Sequence, residues 1–311
     1  MSAIRTVLGD IPPERLGVTD AHDHLFFRIP ALAGQELDSP GAAEAELLAF
    51  RELGGRTVTQ WTPFGLGRHA GDLPAVSRAS SVHVVAATGL HQAVHYQPKE
   101  LDRLRGRTAE FFVSELTEGL RPGDDPDAPP GTARAGMIKV AGGFHGLDAH
   151  ARHVMTAAAH AHHATDAPIG VHLELGTGAL DVLDLLCGKL DVSPERVLLG
   201  HLNRSPDLRI HRAAAEAGAF LVYDGPSRAN HATDWRLFDA LATLTEAGHA
   251  AQLLLGGDTT TAAARSATGG GPGMPFLLSG LRPRLARELG EAVTEQIYVA
   301  NPARALAVDW P

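Results

Sequence analysis

Eight short β-branched or apolar runs punctuate the chain, and between most of them lie Ala/Leu-rich stretches whose apolar positions recur at helical spacing. The runs are 18–22 (VTDAH), 57–61 (TVTQW), 82–88 (VHVVAAT), 137–141 (MIKVA), 169–173 (IGVHL), 197–201 (VLLGH), 220–224 (FLVYD) and 253–258 (LLLGGD). Helical spacing is clearest over 42–53, 147–164, 179–190, 207–217 and 234–247. Strand followed by helix eight times over predicts a (β/α)8 TIM barrel of the α/β class. The alternative, an open doubly wound sheet, lacks a GxGxxG after its first strand. Ser205-Pro206 predicts a capped helix start, and Gly218 its end. The Pro- and Asp-rich stretch 121–136 reads as a solvated excursion, and the Gly-rich stretch 268–275 as a loop at the catalytic end of the barrel. Neither reads as a linker, so residues 1–311 are expected to form one domain.

Polar residues inside these runs carry the chemistry. In a strand, positions two apart share a face, so His22 and His24 of the first run can converge while Asp23 points away. Two imidazoles on one face make half a metal site. The fourth run sets Lys139 among apolar neighbours, where burial favours the neutral amine. His172, His201 and Asp258 lie near the ends of the fifth, sixth and eighth runs. A lone strand-end His is usually a structural residue. Six ligand-type residues from five strands, all towards the face where barrel enzymes build their sites, predict a metal centre.

Composition narrows the rest. Hydrophobic residues make up 44% of the 311 and charged ones 20%, as in a globular protein. No apolar run approaches the ~18 residues of a membrane span, and the N-terminus has no signal-peptide pattern, so a cytoplasmic protein without membrane partners is expected. One cysteine, Cys187, excludes disulfides and thiolate cages, which leaves His and carboxylates to hold a metal. A net charge of −9 argues against nucleic acid as a partner. Symmetric dimers are the commonest assembly, and a homodimer is expected.

The order and spacing of TVLGDIPPERLGVTDAHDHL, VVAATGL, RAGMIKVA, GVHLELG, VLLGHLN, LLLGGD and NPARALA resemble the phosphotriesterase family of the amidohydrolase superfamily, over almost the whole chain. The resemblance implies a binuclear metal hydrolase. His22, His24 and Asp258 would bind one ion, His172 and His201 the other, and a carboxylated Lys139 would bridge both. Zn2+ is the expected metal, with Mn2+, Co2+ and Fe2+ equally suited to such ligands. The first motif reads HDH where HEH is common, and an outward-facing Asp23 would make this of little consequence.

Such a centre lowers the pKa of bound water from about 15.7 towards about 7. A metal-bridging hydroxide would attack a small carboxylic ester or lactone, or a phosphotriester, with Asp258 taking the proton. The alternatives are an amidase of the same family, a nuclease of a related barrel family and a non-catalytic binding barrel. Retention of all six ligand-type residues opposes the last. Candidate substrate contacts follow the third and seventh runs: Tyr96, Arg228 and His231, beside His91, His95 and Asp224. His150, His153, His160, His162 and His163 read as a solvated helix face.

Overall fold

A computed structural model describes residues 2–225 and 231–311, the side chains of His231 and Ala232 excepted. The chain opens with an antiparallel hairpin, β1 (Ile4–Thr6) and β2 (Gly9–Ile11). Eight parallel strands follow in sequential order: β3 (Thr19–Asp23), β4 (Thr57–Gln60), β5 (His83–Gly89), β6 (Met137–Ala141), β7 (Ile169–His172), β8 (Val197–Gly200), β9 (Phe220–Asp224) and β10 (Leu253–Gly256). Helices separate them, including Pro40–Glu52, Leu73–Ser80, Thr108–Thr117, Ala149–Thr165, Leu208–Glu216 and Leu237–Glu246. This is the expected (β/α)8 barrel, nearly closed. The ladder runs unbroken from β3 to β10. Across the remaining seam Asp258 N donates to His22 O at 3.0 Å.

Inward positions fill the barrel with Trp61, Ala87, Met137, Leu198, Phe220, Val222 and Leu254, all buried. Trp61 is the central piece. Its indole Nε1 donates to Ala21 O at 2.8 Å, satisfying the one polar group it carries inside. Glycine at 170 makes room for it, since a Cβ there would sit 2.9 Å from the Trp61 ring. The hairpin lies at the opposite end of the barrel from the strand C-termini, where Val7 N donates to Val84 O and the Arg5 guanidinium reaches Leu116 O.

Two local expectations change, and one element is new. The helix expected to begin at Pro206 starts at Leu208, because the Asp207 carboxylate accepts from Arg209 N and makes the better cap. His162 is not on a solvated face: it is buried, with Nδ1 against Ala167 O at 2.9 Å. The β1–β2 hairpin has no counterpart in the sequence reading, since two three-residue strands carry too little alternation to stand out.

Candidate metal centre

Strand pleating does most of the assembly. Lys139 stands two residues beyond the inward Met137, His172 two beyond Gly170, and Asp224 two beyond Val222, so each points to the barrel axis one layer above the packed interior. His201 and Asp258 follow their strands and adopt left-handed backbone conformations, φ 66° and 51°. His22, His24 and Asp258 each bring a ligand atom within 4.8 Å of the others. Asp258 Oδ1 is 3.7 Å from His22 Nε2 and 3.5 Å from His24 Nε2. Asp258 Oδ2 is 3.7 Å from His201 Nδ1. The His201 ring centroid lies 4.9 Å from that of His22 and 4.4 Å from that of His172.

A ring of acceptors fixes which nitrogen of each imidazole is free. Asp224 takes Nδ1 of His22 at 2.9 Å on one oxygen and Nδ1 of His201 at 2.6 Å on the other. Thr62 Oγ1 takes Nδ1 of His24 at 2.7 Å. Glu174 takes Nε2 of His172 at 3.1 Å and is itself held by Gln92 Nε2 at 3.0 Å. Hydrogen bonding through one nitrogen leaves the other as a lone-pair donor. Nε2 remains on His22, His24 and His201, and Nδ1 on His172.

Burial pulls most of the bases down, but His201 goes the other way: burial lowers it too, yet Asp224 and Asp258 leave it raised overall. Burial pushes the Lys139 amine from 10.5 down to about 7, against the pull of Asp258. Burial, followed by His201, pushes His172 down to about 3. His22 is lowered by burial, although Asp224 works the other way. Burial opposes ionisation of Asp258, yet His201, His24 and His22 hold it at about 2. Arg204 adds a fixed cation: Nη1 pairs with Asp234 at 2.6 Å, and Nη2 lies 3.4 Å from Asp224 and 3.8 Å from Asp258.

Other sequence candidates fall elsewhere. The Tyr96 hydroxyl accepts from His91 N at 2.8 Å and donates to Phe64 O at 2.9 Å, bracing the loop after β5. The His91 ring lies tilted against that of His172, with centroids 4.6 Å apart, and His95 meets His91 edge-on. Arg228 and the His231 side chain lie outside the described residues. The Gly-rich loop is tied to the buried Glu46, which accepts from the backbone of Ser266, Ala267 and Met274. Asp23 is not solvated. It is fully buried beside Asp20 at the β3–β10 seam, and the register of β3 shifts between these two residues. Trp61, whose ring lies 4.1 Å from that of His22, forms the floor of the site, and neither it nor Arg204 carries a sequence signal of that role.

The donor set suits divalent cations: imidazoles that each keep one nitrogen clear of a hydrogen bond, a carboxylate among them, and a buried amine lowered to about 7. The phosphotriesterase family model matches residues 2–306. A phospho-furanose lactonase of Mycoplasmopsis synoviae (strain 53) is 31% identical, covering 98% of this chain and 92% of its own. The crystal structure of the lactonase Lmo2620 from Listeria monocytogenes superposes with a TM-score of 0.88 at 29% identity, over 98% of each chain. That of an amidohydrolase from Mycoplasma synoviae superposes with a TM-score of 0.91 at 29% identity, over 99% of this chain and 92% of the other. By this match of sequence and fold along its length, the chain belongs to the phosphotriesterase family.

Proposed function

We propose that this chain is a metal-dependent hydrolase that opens lactones or related carboxylic esters. The observation that carries the reading is the approach of His22, His24 and Asp258 to within 4.8 Å of one another, beside a buried Lys139 whose amine sits at about 7. His22, His24 and Asp258 would hold one divalent ion and His172 with His201 a second, Zn2+ being the expected metal. Lys139 Nζ, when uncharged, attacks CO2 and loses one proton, and the resulting carbamate would bridge the two positions. When bound, such ions supply an acidified water and polarise the scissile carbonyl.

The chain's own groups account for the remainder. Asp258 lies against His22 and His24 of one half of the donor set and His201 of the other, and it is the group placed to accept the proton of the attacking water and return it to the leaving alkoxide. Asp224 aims two imidazoles at once. Trp61 closes the floor and keeps bulk water from that side. Relatives named as lactonases support the choice of lactones among esters. A panel of lactones, simple esters, amides and organophosphates, assayed with and without a chelator, tests the reading. Chelator-sensitive lactone hydrolysis with the highest kcat/KM supports it. Undiminished turnover in metal-stripped protein, or no hydrolysis of any lactone or ester, overturns it.

A further inference from the structure

The seam between β10 and β3 is joined by side chains. Asp20 Oδ1 accepts from His22 N on its own strand at 3.2 Å and from Gly257 N across the seam at 3.1 Å. Asp23 Oδ1 accepts from His24 N at 2.7 Å and from Thr259 N across the seam at 2.9 Å, while Oδ2 meets Thr259 Oγ1 at 3.2 Å. Each carboxylate therefore grips the backbone of one histidine and of one residue flanking Asp258. Both are completely buried. Glycine makes room on both sides: a Cβ at Gly257 would lie 2.2 Å from Asp23 Oδ2 and 3.3 Å from Asp20 Oδ2, and one at Gly256 would lie 2.4 Å from His22 O. The GGD sequence is thus shaped around the carboxylate pair at Gly257 and around the His22 backbone at Gly256. Asp258 is held at φ 51°, a conformation a non-glycine residue keeps only when its surroundings enforce it.

We propose that Asp20 and Asp23 are positioning residues, a paired-carboxylate clamp that sets Asp258 against His22 and His24 across the barrel seam. The inference rests on the metal-centre reading, because it concerns where three of that centre's donors stand. Neither aspartate touches substrate. Removing either takes the side-chain acceptor from two backbone N–H groups, both buried for Asp23 and one buried, one part-buried for Asp20, and frees the Asp258 loop to relax. The longer Glu at position 23 would drive its carboxylate into Gly257, which couples the short residue at 23 to the aspartate at 20.

The test loads wild type, Asp20→Ala, Asp20→Asn, Asp23→Ala and Gly257→Ala with Co2+. It reads the visible d–d spectrum, the rate of Co2+ release to a chelator, and kcat and KM. Asp20→Asn keeps an acceptor and should preserve the spectrum. Asp20→Ala, Asp23→Ala and Gly257→Ala should shift it and speed metal release about tenfold or more, with kcat falling by a similar factor and KM changing less than about threefold. Gly257→Ala removes no carboxylate and tests the clamp should the alanine variants fail to fold. Folded Gly257→Ala with wild-type spectrum and release rate overturns the proposal. The spectrum and release rate judge the clamp even where wild type hydrolyses nothing on the panel, an outcome that would sink only the proposed function.

Discussion

Asp224 Oδ1 stands 2.9 Å from His22 Nδ1, and this contact decides that Nε2 of His22 faces the site. The other oxygen of the same carboxylate does the same for His201 at 2.6 Å. Asparagine offers one acceptor and one donor, so Asp224→Asn can serve one ring and must mis-set the other. Metal affinity should fall roughly 10–100-fold, the usual cost of losing such a supporting contact. Chelator competition measures it, and wild-type affinity in the variant would remove Asp224 from the positioning role.

Glu174 is held at about 2, chiefly by its hydrogen bond to His172, so it is ionised through the neutral range and accepts from His172 Nε2. In the proposed centre its partner would serve the second ion position alone. Glu174→Ala should therefore lower metal content from about two ions per chain towards one after dialysis against a weak chelator, whereas Glu174→Gln, which keeps an acceptor, should hold both. Equal loss in the two variants would show that charge, and not orientation, is what Glu174 supplies.

Arg204 lies among Asp224, Asp234 and Asp258, with its side chain almost wholly buried. Replacing it with methionine leaves buried carboxylates without their cation, which costs on the order of 3–5 kcal/mol. Thermal unfolding of the metal-free protein should show a large drop in Tm for Arg204→Met and a smaller one for Arg204→Lys, which keeps the charge but not the fork. Added Zn2+ should recover part of the loss, because divalent charge compensates the same carboxylates. An unchanged Tm in Arg204→Met would show that the ion pairs are not worth their desolvation.

The barrel was legible because each strand announces itself by an apolar run and most stop at a polar word. The approach of His22 to His24 follows from a spacing of two. What stayed hidden depends on contacts between distant segments. Alternation sends Asp23 away from His22 and His24, but it does not announce that this side is buried, with Asp20 beside it and Thr259 N across the seam. His201 is out of phase with Leu198 and Gly200 and turns inward through a positive φ that no local pattern announces. Asp224 looked like a pocket residue because it ends a strand, and its bonds to two histidines 202 and 23 positions away emerge only in three dimensions. Arg204 sits in a loop whose composition suggests solvent, and its partners come from three other segments.

Lys139 gives the sharpest pH signature. Burial lowers its amine from 10.5 to about 7, so between these values the unfolded chain carries a proton that the folded one lacks. Stability of the metal-free protein must then rise with pH across this window, by about 1.4 kcal/mol per unit from this group, and contribute no slope below pH 7, where both states are protonated. Lys139→Met removes the titrating group while keeping the length and apolar character of the stem. Thermal melts from pH 6 to pH 9 should show the wild type climbing more steeply than the variant above pH 7, with the variant the more stable of the two at pH 6. The same uncharged amine is the form that adds CO2, so metal uptake by stripped protein should be faster at pH 8 than at pH 6 and should depend on added bicarbonate in the wild type alone. Parallel melting curves, together with bicarbonate-independent uptake, would mean that Lys139 is an ordinary ammonium and that the centre is bridged by something else.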